Sequence, residues 1–319
     1  MFPSFYNLRE QPFGVTPDPR YLYLSGTHGR IISSLLYGIN CDLGFTALIG
    51  EPGTGKTTLL FHILRSFRTA LTAFLFETQC NSNGLLRYLL QELDVPIADN
   101  DPVALHEQLK EVLASAALSG RRVILIIDEA QNLDLSVLET VRLLSNFETP
   151  RAKLLHVILS GQPDLALRLA RPELAQLQQR IGKTNWLMPL APEDVACYIE
   201  HRLRVAGCTG TRPFSDAAVD MIAAESRGIP RVINRISFNA LSLGYSLRKT
   251  EIDAAIVEQA VSDCGSSPLD FSRSDASAGN AGNRASVLPM LEPAVAPDSE
   301  SQALGPDTGT EPWQKLVEE

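Results

Sequence analysis

The chain has 319 residues, a hydrophobic share of 45% and a formal net charge of −9, which suit a globular protein with ample material for a core. Nine acidic and three basic residues lie at positions 266–319, so −6 of this charge belongs there and −3 to residues 1–265. A body this close to neutral lacks the broad basic footprint that nucleic-acid-binding domains usually carry, although a local basic patch stays possible.

A glycine-rich loop stands between the first predicted strand and the helix that follows it. The apolar run "GFTALIG" at residues 44–50 predicts a buried strand, and "KTTLLFHILRSF" at residues 56–67 has the apolar spacing of a helix. Residues 50–57 between them read GEPGTGKT and match G-x-x-x-x-G-K-[ST]. Strand, glycine loop and helix in this order are the context that a phosphate-binding loop requires.

Further strands alternate with helices as far as residue 190. Apolar runs predict strands at residues 71–78, 122–130, 153–163 and 184–190, and helical spacing predicts helices at 83–93, 101–120 and 134–147. Strands that are apolar almost throughout are typical of a parallel sheet covered by helices on both faces. We therefore predict an α/β domain with a three-layer parallel sheet at residues 1–190.

The pattern changes twice after this domain. Helices are predicted at residues 192–206, 215–226, 230–245 and 251–263, which gives a small all-helical domain at residues 191–264. Residues 265–319 are rich in Ser, Ala, Gly, Pro and Asp and predict a disordered acidic tail. The terminal "PWQKLVEE" is interpreted either as a short docking helix or as an uninvolved chain end.

Cysteine usage and the lack of targeting signals predict a cytoplasmic location. The five cysteines are far apart, and none forms a C-x-x-C pair, which indicates reduced thiols and argues against a disulfide framework or a zinc site. The first residues show no signal-peptide pattern, and no stretch approaches 18 consecutive apolar residues. We expect no membrane span.

The glycine loop carries the first group of candidate binding residues. Its glycines let backbone N–H groups turn towards phosphate oxygens, and the helix N-terminus adds its positive dipole end. Lys56 can reach the β- and γ-phosphates, and the hydroxyl of Thr57 can ligate Mg²⁺. The alternative is an ordinary strand-to-helix turn. The predicted nucleotide-binding set is Gly50, Glu51, Pro52, Gly53, Thr54, Gly55, Lys56, Thr57 and Thr58.

Two adjacent acids follow the apolar strand in "VILIIDEAQ". An acid at the carboxyl end of a parallel strand lies where α/β proteins bind ligands, so Asp128 is predicted to hold the Mg²⁺ shell. Glu129 is predicted to orient and polarise the attacking water, as a catalytic residue of a hydrolase. The alternative is a solvent-exposed acidic turn.

Three further polar residues have a functional and a structural interpretation each. Gln162 follows a buried strand and either contacts the γ-phosphate and the water or is a turn residue before Pro163. Arg180 ends a helix and either reaches a neighbouring subunit's γ-phosphate, as an arginine finger does, or interacts with the helix dipole. Arg231 in "GIPR" lies in a first helical turn, where a cation is unfavourable unless an anion such as ATP phosphate or a surface acid pairs with it.

Together these motifs resemble the AAA+ ATPases. The opening "FYNLREQPFGVTPDPRYLYLS", "LLSNFET", "KLLHVILSGQPDL" and "LQQRI" are similar to the ExeA/GspA-type ATPases of bacterial secretion and envelope assembly, over about residues 1–264. The resemblance implies a P-loop NTPase core with a helical lid, ATP and Mg²⁺ as cofactors, and an adenine site near Pro12, Phe13 and the following residues. Relatives of this family include the TniB- and IstB-type transposition helpers.

Three functions are compatible with these residues. The first is an ATPase that assembles into a homo-oligomer, with Arg180 acting in trans, and remodels an unidentified protein partner in secretion or envelope assembly. The second is a DNA-associated ATPase of the transposition-helper kind, which the near-neutral body disfavours. The third is a switch that binds ATP without useful hydrolysis, which Glu129 makes less expected.

Overall fold

The computed structural model describes residues 2–14, 16–76, 80–97, 99–150, 152–210 and 212–265, with the side chains of 264 and 265 outside the description. The chain divides into a compact unit, Met1–Cys264, and a second unit, Gly265–Glu319. From residue 266 onward, the predicted disordered tail and its terminal segment lie outside the described residues.

A five-stranded sheet with the order β2-β3-β4-β1-β5 forms the centre of this unit. Its strands are β1 (Phe45–Gly50), β2 (Leu71–Leu75), β3 (Val123–Ile127), β4 (His156–Gly161) and β5 (Ile181–Leu187). Every neighbouring pair is parallel. The predicted parallel sheet is confirmed, and the carboxyl ends of β1, β3 and β4 meet along one edge.

Helices cover both faces of the sheet. One face packs on α2 (Gly26–Asn40) and α3 (Lys56–Leu64). The other packs on α4 (Ser82–Glu92), α5 (Pro102–Leu118), α6 (Leu135–Leu144), α7 (Pro163–Leu169) and α8 (Ala175–Arg180). Alternate residues of β3 point to opposite sides, with Ile124 and Ile126 in the first core and Leu125 and Ile127 in the second. This alternation explains why the buried strands are apolar throughout.

The all-helical lid follows the sheet, as the sequence predicts. It contains α9 (Pro192–Val205), α10 (Asp216–Ser226), α11 (Pro230–Ser246) and α12 (Ala254–Gly265). The hydroxyl of Ser215 accepts from the backbone N–H of Ala218 at 3.2 Å and caps α10. Pro192 and Pro230 occupy first helical positions, where the missing N–H costs nothing.

The N-terminal segment packs on the lid. The hydroxyl of Tyr6 donates to the carbonyl oxygens of Leu241 at 3.2 Å and Lys249 at 3.0 Å. Tyr6, Phe13 and other apolar residues of this segment belong to the same core as the lid helices. Helix α1 (Phe2–Phe5) also contacts α11. The predicted boundary at residue 190 therefore separates this segment from the helices on which it packs, because contacts between distant segments leave no local signal.

The last strand starts three residues earlier than its apolar run predicts. Gly182, Lys183 and Thr184 are exposed and polar or small, so this half of β5 lacks the pattern of a buried strand. It lies at the sheet edge and pairs with β1 alone among the described strands. Main-chain pairing with β1 forms this half of the strand without help from side chains.

A close backbone contact joins the linker after β5 to the turn between α10 and α11. The backbone N–H of Leu190 donates to the carbonyl oxygen of Gly228 at 2.8 Å. Gly228 has a φ of 72°, and a Cβ added to it would lie 1.9 Å from the carbonyl oxygen of Leu190. Only glycine fits this position, for both conformational and steric reasons.

We predict that Gly228→Ala destabilises the protein strongly. The left-handed backbone and the overlap with Leu190 should lower the free energy of unfolding by about 2–5 kcal/mol, measured by urea denaturation. Gly210→Ala is the matched control, because nothing lies within 4 Å of the Cβ it would add. Equal stability of the two variants would contradict the account of this joint.

Candidate functional site

The glycine loop forms the turn between β1 and α3. Gly53 and Gly55 have φ angles of 81° and 97°, in the left-handed region. A Cβ on Gly53 would lie 2.6 Å from the Cβ of Arg231, so glycine lets the loop pass under the lid. Helix α3 begins at Lys56 and directs its positive dipole end to the loop. The loop and this helix end together can bind an anion.

The side chain of Lys56 turns back over the loop. Its Nζ donates to the carbonyl oxygens of Gly50 at 2.9 Å and Glu51 at 3.2 Å. Burial lowers the pKa of Lys56, while the carboxylates of Glu129, Asp128 and Glu51 oppose this shift. The hydrogen-bond partners of the ammonium are neutral carbonyls. Phosphate oxygens would be stronger partners for it.

Asp128 is the centre of a buried polar cluster at the end of β3. One carboxylate oxygen, Oδ2, accepts from the hydroxyl of Thr57 at 2.6 Å. The other, Oδ1, accepts from the hydroxyl of Ser160 at 2.7 Å and from the N–H of Glu129 at 3.0 Å. Ser160 was not predicted as a site residue, and its position near the end of β4 would have been its only signal. These contacts fix the orientation of the carboxylate.

The Thr57–Asp128 pair has the chemistry of a Mg²⁺ site. A hydroxyl and a carboxylate oxygen are hard donors, and Mg²⁺ usually takes one or two protein ligands and completes its shell with water and phosphate oxygens. Among the described residues, no group of three or more His, Cys, Asp or Glu could hold a metal. The donors thus fit a metal bound together with a nucleotide rather than a site made of protein ligands alone.

Glu129 is held by two amide side chains. Its Oε2 accepts from Nε2 of Gln162 at 3.0 Å and from Nε2 of Gln131. The Oε1 of Gln131 in turn accepts from the backbone N–H of Gln162 at 3.1 Å. Gln131 was not predicted as a site residue, although it is the last letter of "DEAQ". The structure thus brings Gln162 into direct contact with the catalytic candidate Glu129, and Gln131 bonds to both of them.

Two residues hold Gln131 in position. The guanidinium of Arg168 donates to the carbonyl oxygens of Gln131 and Leu133, the second at 2.6 Å. Gly161 ends β4, and a Cβ added there would lie 2.6 Å from Oε1 of Gln131. The missing side chain at Gly161 therefore makes room for the amide that contacts Glu129. Neither residue carries a recognisable motif.

The lid contributes Arg231 to the same pocket. The backbone N–H of Arg231 donates to the carbonyl oxygen of Gly53 at 3.1 Å. Arg231 lines the pocket together with the residues of the loop and with Glu129. Its position in the first turn of α11 agrees with the sequence, and no described acid forms an ion pair with it.

Arg180 lies outside the pocket of its own chain. It is the last residue of α8 and is exposed, with Nη2 donating to Oδ1 of Asn146 at 3.4 Å. The lining of the pocket does not include it. Within one chain, the structure therefore does not bring Arg180 to the loop or to Glu129.

The far end of the pocket is built by the N-terminal segment and the lid. Its lining includes Gly14, Asp18, Tyr21 and Tyr23 from the segment, His28 from α2, and Tyr198, Arg202 and Asn234 from the lid. This end is aromatic and polar, which suits a nucleoside. The sequence predicts an adenine site in the segment, but Tyr198, Arg202 and Asn234 of the lid were not predicted.

Phe13 is placed differently from the prediction. Its ring is buried in the lid core and lies edge-on to the ring of Phe214, with 6.1 Å between the ring centroids. The pocket lining includes the adjacent Gly14 but not Phe13. The ring turns inward because the lid core offers it apolar contacts. Phe13 therefore anchors the segment to the lid instead of lining the pocket.

Burial favours the neutral forms of two tyrosines and a histidine at this end of the pocket. It raises the pKa of Tyr23 to about 12, and the hydrogen bond to Asp194 adds to this effect. It also raises the pKa of Tyr198 and lowers the pKa of His28. The guanidinium of Arg202 brings a positive charge to this end of the pocket.

Comparisons with known proteins agree with this architecture. The family model described as "AAA domain" matches residues 42–169. General secretion pathway protein A of Aeromonas hydrophila is 39% identical over 249 residues, which cover 77% of this chain and 45% of that protein. The chain thus spans less than half the length of this relative.

Solved structures share the fold at low sequence identity. The Aeropyrum pernix ORC2 protein, in its ADPNP-ADP complexes, has a TM-score of 0.62 and 17% identity, covering 80% of this chain and 71% of that chain. Drosophila ORC bound to DNA has a TM-score of 0.60 and 18% identity, covering 82% and 65%. At these identities the likeness concerns the fold alone.

Among the described helices, none is both long enough and apolar enough to cross a bilayer. The strand order, the loop between β1 and α3, the helical lid and the similarity to general secretion pathway protein A together identify the family. The chain belongs to the AAA+ ATPases and is of the ExeA/GspA type.

Proposed function

We propose that the chain binds ATP with Mg²⁺ and hydrolyses the bond to the γ-phosphate. One observation carries this proposal: the half-buried carboxylate of Glu129, held by two amides, lines the same pocket as Lys56 and Thr57. A carboxylate placed beside a phosphate site can orient a water molecule for attack. A phosphate-binding protein without hydrolysis would not need this acid.

Each polar residue has a defined task in this proposal. Lys56 and the loop N–H groups bind the phosphates, and Thr57 and Asp128 would hold Mg²⁺, which offsets phosphate charge. Glu129 orients the attacking water and accepts its proton, while Gln162 contacts the water or the γ-phosphate. Arg231 adds positive charge from the lid, so that a change at the γ-phosphate can move the lid.

We predict that Gly161 and Gln131 act on hydrolysis as one unit. Gly161→Ala displaces the Gln131 amide, and Gln131→Ala removes it, so each should lower kcat by roughly 10- to 100-fold at nearly unchanged ATP affinity. The double variant should be no slower than either single variant. Gly29→Ala serves as control, because its Cβ would meet nothing within 4 Å. If the reductions in kcat of the two single variants multiplied in the double variant, the two residues would act independently.

The exposed Arg180 supports an assembly of several subunits. Within its own chain it forms no ion pair among the described residues, although its charge helps to lower the pKa of Glu148, and it lies outside the pocket. An arginine at such a site can stabilise transition-state charge on a neighbouring subunit's nucleotide. We propose a homo-oligomer in which each active site is completed by Arg180 of the adjacent copy.

Mixing two inactive variants tests this assignment. Arg180→Ala and Glu129→Gln should each lose hydrolysis by roughly 10³-fold. At equal amounts, their mixture should regain about a quarter of the wild-type rate, because intact Glu129 then faces intact Arg180 at one contact in four. The exposed Arg171→Ala is the control and should stay active. A mixture without recovered activity would contradict action in trans.

The similarity to general secretion pathway protein A supports a role in secretion or envelope assembly. We propose that the assembly remodels a protein partner there, from the cytoplasmic side. The chain covers 45% of that relative. The partner and the activity of the whole protein are therefore proposals.

A DNA-associated ATPase is the second candidate. One structure that shares the fold is of an ORC bound to DNA, so duplex DNA is the alternative partner to test. The net charge of −3 for residues 1–265 opposes it. The hydrolysis rate of the wild-type protein, measured with and without duplex DNA at low salt, distinguishes the two candidates. Wild-type hydrolysis that DNA stimulates would favour the DNA-associated function, and indifference to DNA would favour a protein partner.

A further inference from the structure

Arg202 of α9 is a buried cation that lines the far end of the nucleotide pocket. The residue is only 7% exposed. Its Nε donates to the carbonyl oxygen of Pro12 at 2.6 Å, and its Nη1 donates to the hydroxyl of Tyr198 at 3.0 Å. The guanidinium carbon lies 4.5 Å from the centroid of the Tyr21 ring. These contacts hold the guanidinium at a fixed place between the segment and the lid.

The charge of Arg202 has no acidic partner. None of the described carboxylates forms an ion pair with it, and every group that accepts its hydrogen bonds is neutral. Arg212, by comparison, pairs with Glu200 and Asp216. Buried charges are normally paired, because an uncompensated one is costly. No described group accepts a hydrogen bond from Nη2 of Arg202.

If the phosphates of a nucleotide lie at the loop, its base would lie at the end of the pocket that Arg202 lines. The hydroxyl of Tyr198 donates to Oδ1 of Asn234 at 2.8 Å, and Asn234 follows Arg231 by one turn of α11. Arg231 lies on Gly53 of the phosphate loop. A path from the phosphate end therefore runs from Arg231 through Asn234 and Tyr198 to Arg202. All of these residues line one continuous pocket.

We infer that Arg202 binds the base of the nucleotide by donating a hydrogen bond to an acceptor nitrogen of the purine ring. The inference rests on the proposed nucleotide site. A guanidinium offers only donors, so it matches an acceptor on the base rather than the amino group of adenine. Because Arg202 also holds Pro12, this contact links the base to both the lid and the N-terminal segment.

The test compares ATP with inorganic tripolyphosphate, which has phosphates but no base. In protein that carries Glu129→Gln to block hydrolysis, Arg202→Met should weaken ATP binding by roughly 10- to 100-fold, the range for a hydrogen bond from a charged donor. Binding of tripolyphosphate, measured by calorimetry with Mg²⁺, should change less than about twofold, since its contacts lie at the loop. Arg204→Met is the control, an exposed arginine on the same helix.

A second measurement leaves Arg202 in place and alters the ligand. The ligands are 1-deaza-, 3-deaza- and 7-deaza-ATP, each of which lacks one ring nitrogen of the base. At least one of them should bind more weakly than ATP to the parent protein, which carries Glu129→Gln alone. The same analogue should bind as tightly as ATP once Arg202→Met is added. The inference would be overturned if all three analogues bound to the parent protein as tightly as ATP does. It would also be overturned if Arg202→Met weakened the binding of ATP and of tripolyphosphate by the same factor. If the parent binds neither ATP nor tripolyphosphate, the proposed nucleotide site is wrong, and the inference fails with it.

Discussion

The contact between the phosphate loop and the first turn of α11 controls how the two parts of the molecule meet. The N–H of Arg231 donates to the carbonyl of Gly53 at 3.1 Å, and a Cβ on Gly53 would lie 2.6 Å from the Cβ of Arg231. A glycine at this position thus permits an approach that any other residue would block. The same approach places a lid arginine beside the loop. The position of the lid and the binding of phosphate therefore depend on the same contact.

The pocket lies between the sheet with its covering helices and the lid, and these two parts have separate hydrophobic cores. The phosphate end belongs to the sheet, whose strands β1 and β3 deliver the loop and Asp128. The base end belongs to the lid, because the N-terminal segment packs on the lid core through Tyr6 and Phe13. A nucleotide in the proposed site would contact both the sheet part and the lid part. Because its two ends bind to different rigid parts, hydrolysis can be coupled to movement of the lid.

The sequence predicts the parts of this molecule that depend on local pattern. Apolar runs locate the strands, and the G-x-x-x-x-G-K-[ST] spacing and the acid after β3 locate Lys56, Thr57 and Asp128. It does not predict contacts between distant segments. Gln131 becomes relevant only because Gly161, thirty residues away, leaves space for its amide. The inward direction of Phe13 likewise follows from the lid core, which has no signature in the flanking residues.

The central claim is that one nucleotide contacts both the sheet part and the lid part of the molecule. Hydrogen exchange tests this claim most directly. The Glu129→Gln protein would be compared with and without magnesium-ATP, so that hydrolysis does not change the ligand during the experiment. The account predicts slower exchange of backbone amides in the loop at residues 51–57, in the segment at 16–23 and in the lid at 231–234. Protection confined to the loop, with segment and lid unchanged, would contradict it.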